Sequence, residues 1–224
     1  MGRANLMQER NKLQQILLSA VGHSWPLFLV IIMLFALGVF FGTLGVNALS
    51  AENVTLLTQA IDKFLANVPA LHSNAYSILQ ESLTDNLITW VVILVLGLTI
   101  IGIPAILFMV FMRGFTIGFS ISFLAGHRAE TGTLLALTAI TPHNLLLIPA
   151  LFISSAAALS FALILLKRFF NTQIPVLPNF CGYLGIMLIT AIAFSGAAVI
   201  ETYVSPWLTR MASSLLTGGW SVPF

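Results

Sequence analysis

Residues 134–166 form an apolar run that carries no charge and is closed by Lys167. A hydrocarbon core ~30 Å thick takes ~20 residues of helix. The run is therefore too long for one straight crossing and too short for two. It is interrupted at Thr141-Pro142-His143-Asn144 and again at Ile148-Pro149-Ala150. Pro142 has no amide proton and disfavours helix at Thr141. His143 and Asn144 then place polar groups near hydrocarbon depth, where they must find partners inside the protein. The pattern predicts a short segment, an elbow at 142–144 and a full helix over about 144–166. Pro142, His143, Asn144 and Pro149 are the candidate polar site. Its plainest role is structural, with His143 and Asn144 satisfying each other and the backbone of the elbow.

Composition extends this reading to the whole chain. Of its 224 residues 58% are hydrophobic and 7% charged, against about 25% charged in soluble domains. The expected fold is all-α, a polytopic integral membrane protein of about five transmembrane helices with short extracytoplasmic helices. The length allows one membrane domain and leaves no room for a separate soluble catalytic domain. A net charge of +2 gives no reason to expect nucleic acid as a partner. Cys181 is the only cysteine, so no intrachain disulfide can form. The first apolar segment is too long for a signal-peptide core and is read as a permanent helix.

Residues 1–24 read as a cytoplasmic, basic, amphipathic segment lying on the membrane surface. Residues 25–201 form the membrane domain, with helices at about 25–49, 87–112, 111–126, 144–166 and 179–200. The segment 111–126 either crosses or re-enters. In the first helix Gly38, Gly42 and Gly45 share a face, a spacing that lets two helices approach closely. They are a candidate packing face within the chain or a homodimer seam. The polar stretch 50–86 reads as an extracytoplasmic loop with two short amphipathic helices. Val54, Leu57, Ile61 and Leu65 recur at helical spacing in the first, and Tyr76, Leu79 and Leu83 mark the second. Pro104 is expected to kink the second crossing. Arg113 is expected to end it. Residues 202–224 read as an extracytoplasmic interfacial tail.

With five crossings, Arg3, Arg10, Lys12, Arg113, Lys167 and Arg168 fall on one side and Lys63, Arg128 and Arg210 on the other. The positive-inside rule then puts the N-terminus in the cytoplasm and the C-terminus outside. The chemistry of membrane proteases is missing. No His-Glu-x-x-His is present, and Asp62 and Asp85 both fall in the outer loop. Gly118-Phe119-Ser120 lacks the next glycine of a nucleophile elbow. No enzyme activity, cofactor or metal is expected. The Gly- and Pro-interrupted segments do resemble the discontinuous helices of transporters. A small-molecule channel or carrier using the elbow is therefore the alternative function.

Several pieces in order carry a resemblance. They are Gly38-Val39-Phe40-Phe41-Gly42 with Val46-Asn47, Asn86-Leu87, Ile100-Ile101-Gly102-Ile103-Pro104, and Arg113-Gly114 with Gly118-Phe119. Pro142-His143-Asn144-Leu145 follows with Ile148-Pro149-Ala150, then Glu201-Thr202-Tyr203-Val204-Ser205-Pro206. Over nearly its whole length the chain resembles the stage II sporulation protein M family. The resemblance implies a membrane scaffold that anchors two cell-wall hydrolases, the stage II sporulation proteins D and P, at the sporulation septum and the engulfing mother-cell membrane. Peptidoglycan remodelling would then be the partners' chemistry. Val54, Leu57, Ile61, Leu65, Glu201 and Tyr203 are the candidate partner surface, on the parts that would face the wall.

Overall fold

The computed structural model describes residues 25–67, 75–127, 129–170, 176–205 and 207–208. Among the described residues six α-helices follow one another: α1 Trp25–Asn47, α2 Ala51–Asn67, α3 Ala75–Gly97, α4 Gly102–His127, α5 Ala129–Phe170 and α6 Val176–Val199. A π-helical turn, Ile200–Val204, extends α6. Among the described residues there is no strand. Among the described residues five spans are long and apolar enough to cross a membrane: Trp25–Asn47, Tyr76–Gly97, Gly102–Gly126, Pro142–Phe170 and Val176–Val204. The chain is an all-α, multi-pass membrane protein.

The number of spans matches the expectation, but two boundaries do not. No helix runs over 87–112. The chain turns at 98–101, so α3 ends at Gly97 and α4 begins at Gly102. The turn is closed by Leu98 N–H to Val95 O (3.1 Å), Thr99 N–H to Leu96 O (3.0 Å) and Gly102 N–H to Thr99 O (3.2 Å). The Thr99 hydroxyl donates to Leu96 O (3.0 Å) and accepts from Gly102 N (3.1 Å). A Cβ on Gly102 would collide with the Leu96 carbonyl, so only glycine fits there. Pro104 then falls in the first turn of α4, where its missing N–H has no intrahelical partner to lose. It starts a helix instead of kinking one. The segment 111–126 is the second half of α4, and the stretch around Tyr76, Leu79 and Leu83 is the start of the α3 span. Arg113 therefore does not end a helix. It lies eleven positions after Gly102 and fourteen before His127, near the middle of α4. Asp85, assigned to the outer loop from sequence, lies within α3 together with Glu81.

The second correction concerns the elbow. α5 is one helix of 42 residues with both Pro142 and Pro149 inside it. Each proline forfeits one backbone hydrogen bond. A true break would leave several carbonyls and amides unsatisfied in lipid, which costs more.

α5 is the central helix, with 61% of its span buried, against 11–33% for the others. Small residues at Ser154, Ser155, Ala156 and Ala158 let neighbours close on it. α1 packs most extensively on α4, and α4 and α6 pack on α5. The core runs through Ile31, Ile93, Ile106, Val110, Leu151, Leu159, Met187 and Phe194. α2 opens with Ser50 as N-cap, its hydroxyl accepting from Asn53 N (3.4 Å). α2 makes no extensive contact with the spans among the described residues.

Candidate functional site: a buried arginine beside a crevice

The α1–α4 contact sets the position of α4. Gly38 and Gly42 on α1 lie against the backbone of Phe111 and Phe115, while Gly114 and Gly118 on α4 lie against Phe35 and Val39. A Cβ on Gly42 would stand 2.8 Å from Phe119 N, and one on Gly118 2.8 Å from Val39 Cα. Two small-residue pairs thus interlock within one chain, the close approach their spacing allows. Gly45 faces the Phe115 ring edge, at 3.3 Å from where its Cβ would be. The candidate packing face is occupied by α4, which leaves Gly38 and Gly42 unavailable to a second copy. A column of Phe111, Phe115, Phe119 and Phe123, with successive centroids 6.2–6.5 Å apart, lines α4 beside this seam.

The next seam joins α3 to α6 by polar rungs one turn apart on α3. Asn86 Nδ2 donates to Phe194 O (3.3 Å). Trp90 Nε1 donates to Met187 O (3.0 Å) and lies 3.2 Å from Thr190 Oγ1. Leu94 O accepts from the Tyr183 hydroxyl (2.8 Å). The residue numbers rise on α3 as they fall on α6, as antiparallel helices require. Tyr183 also stacks on Phe161 with centroids 5.0 Å apart. In lipid a polar side chain must be satisfied internally, so these bonds also fix the register of the two helices.

Between the two seams, α3 and α4 leave their shared turn and enclose a cavity of about 230 Å³. Asn86 and Thr89 line it from α3, and Met109, Met112, Arg113 and Thr116 from α4. Leu147 and Leu151 of α5 and Phe194 of α6 form its floor. Arg113 Nη2 donates to Asn144 Oδ1 at 3.3 Å. Glu201 lies in the π-turn at the end of α6. A charged group within a span is expensive and needs compensating partners, which makes this the candidate functional site.

The structure thus joins one of the sequence candidates, Asn144, to an arginine that the sequence alone puts at a helix end. Asn144 is buried and bonded to Arg113, so its partner is not confined to the elbow. Pro142 and His143 are half-buried beside it, and Pro149 is exposed. Val54, Leu57 and Ile61 are half-buried on α2, away from this cluster, and the side chain of Leu65 lies outside the described residues. Tyr203 is exposed at the end of α6. The sequence did hold a signal for Arg113: it is the single charge in the otherwise uncharged run from 86 to 126. Among the described residues no group of three His, Cys, Asp or Glu side chains could hold a metal ion.

No curated protein and no solved structure matches the chain. The family described as stage II sporulation protein M matches residues 31–206, which include all five spans but for a few residues at the first. A match over that length shows the family, and the family carries a role in sporulation: the chain belongs to the stage II sporulation protein M family.

Proposed function

We propose that the protein is a non-enzymatic membrane scaffold that anchors the stage II sporulation proteins D and P for septal peptidoglycan remodelling and engulfment. The observation that carries this reading is the family match over residues 31–206. The layout is compatible with it. Most of the mass is membrane-embedded, and α2 projects from the end of α1 without extensive packing on the spans. A helix with a half-buried apolar stripe and, among the described residues, no extensive contact with the spans is a suitable docking element. In the proposed orientation Arg3, Arg10, Lys12, Lys167 and Arg168 lie in the cytoplasm, and α2 and the end of α6 face the wall. Arg113 is withdrawn from that charge count because it lies within a span.

A second reading, a channel or carrier for a small anion, draws on the cavity beside Arg113. The two are separated by a gentle-detergent pull-down of the tagged protein from sporulating cells, with companions identified by mass spectrometry. The scaffold predicts recovery of both hydrolases, and their loss when Val54, Leu57 and Ile61 are replaced by Ala together. Absence of both hydrolases from an intact, folded preparation contradicts the scaffold and leaves the carrier.

A further inference from the structure

Arg113 and Asp85 both lie within spans, and neither makes an ion pair among the described residues. Arg113 has one side-chain bond there, to the neutral amide oxygen of Asn144 at 3.3 Å. A guanidinium has five N–H donors, so most of its capacity is unused. The Asp85 side chain is exposed, and its carboxylate has no bond among the described residues. A charge inside a span is expensive unless it is paired.

The two charges share a depth. α3 and α4 leave the turn at 98–101 side by side in opposite directions. Asp85 stands twelve residues before Gly97, and Arg113 eleven after Gly102. At the rise of an α-helix these are ~18 Å and ~16 Å from the turn, close to the middle of a ~30 Å core. Glu81, one turn further along α3, stands ~24 Å away. At that height α4 offers Gly118 and no charge.

They also share one outer face. Thr89 lines the crevice beside Arg113 and donates its hydroxyl to Asp85 O one turn away (3.0 Å). Asp85 therefore stands next to the rim. On α3 Asp85, Ile88, Val92 and Val95 are exposed at helical spacing, and on α4 Phe108, Met112 and Thr116 are. α3 packs on α6, and α4 on α1 and α5, which leaves this face uncovered among the described residues. It is an apolar groove with opposite charges at its middle.

We propose that this face docks a second copy of the chain in a two-fold dimer, with Asp85 of each copy paired to Arg113 of the other. A two-fold axis along the membrane normal keeps every group at its own depth, so only groups of equal depth can meet across it. Asp85 and Arg113 differ by ~2 Å. The contact is isologous, so the pair forms twice. Each carboxylate enters past Met112 and Thr116, into a cavity of about 230 Å³ that holds such a head. Away from water these charge-assisted bonds are strong. The dimer is independent of the scaffold reading.

The test uses the purified full chain, labelled with donor or acceptor dye at Cys181, its only cysteine, which is exposed. Energy transfer is followed while the protein is diluted in phosphatidylcholine liposomes. Asp85→Asn or Arg113→Gln removes both pairs at once. Each is expected to weaken the dimer about a hundredfold, tenfold per pair, the scale of a polar bond between membrane helices. Mixing the two variants keeps one pair in the mixed dimer, which is expected to be about tenfold tighter than either variant with itself. A role confined to one chain gives no such recovery. Asp85→Asn breaks no bond within the chain and decides the matter alone should Arg113→Gln fail to fold. Energy transfer in Asp85→Asn equal to that of wild type overturns the proposal. So does a mixture no tighter than its components. Wild type that stays monomeric overturns the second copy and leaves the face to a helix of another membrane protein.

Discussion

The two sides of α4 are built from opposite materials. Toward α1 it presents Gly114 and Gly118, and the backbones meet with no room for a methyl group. Toward α3 it presents Arg113 and Thr116, and the helices part to leave a cavity. Lipid is as apolar as leucine, so helix association in the membrane depends on close packing and internal hydrogen bonds. The glycine side uses the first of these to fix where α4 stands. The arginine side can remain open because the glycine side is closed, and because the α3–α6 rungs hold the opposite wall independently. One face supplies stability, and the other is available for binding.

The sharpest way to break this comparison is to put bulk into the closed face. Gly42→Leu drives a branched side chain into the Phe115 and Phe119 backbone. It is expected to cost about 3 kcal/mol or more, or to prevent folding. Unfolding in a denaturing-detergent titration measures it. Arg113→Met on the open face should cost far less, within about 2 kcal/mol. It leaves Asn144 Oδ1 without its donor but removes a charge from the protein interior. If the arginine variant proves the more damaging, the division of labour is reversed. Trp90→Phe, which keeps the ring and deletes the donor to Met187 O, is expected to lose about 1–2 kcal/mol. Tyr183→Phe deletes the bond to Leu94 O and is expected to lose about 1 kcal/mol. The smallest effect belongs to Ser155→Ala. The Ser155 hydroxyl is fully buried and has no hydrogen-bond partner among the described residues. Its removal is expected to be neutral or to stabilise by a few tenths of a kcal/mol.

Much of this arrangement was legible in the sequence. Five crossings follow from the apolar lengths. The small-residue spacing of Gly38 and Gly42, repeated at Gly114 and Gly118, is the signature of close helix contact, although spacing alone does not say which helix is the partner. The turn at 98–101 was not legible. Three of its four residues are apolar, and it is held by one threonine hydroxyl and the Gly102 backbone. Turns in water announce themselves by polar residues, whereas a tight turn between two membrane helices needs only internal hydrogen bonds. Without polar residues at 98–101 the run 87–112 looks continuous, which puts Arg113 at a helix end instead of near the middle of α4. The elbow erred in the other direction. Pro142 and Pro149 are strong breakers in soluble helices, but in lipid the helix is the cheapest way to satisfy the backbone, so α5 runs through both. The bond between Asn144 and Arg113 was not legible, because the two are 31 positions apart.

The position of that turn decides whether Arg113 lies inside a span, and Ile101 reports on it. Ile101 is 84% exposed, between α3 and α4. The decisive measurement places a cysteine there, Ile101→Cys in a Cys181→Ser background, and labels sealed membrane vesicles with an impermeant maleimide. The structure predicts rapid labelling from one side of the membrane without detergent. Labelling that appears only after the membrane is dissolved would bury residue 101 within a span, restore a continuous helix over 87–112 and return Arg113 to a helix end.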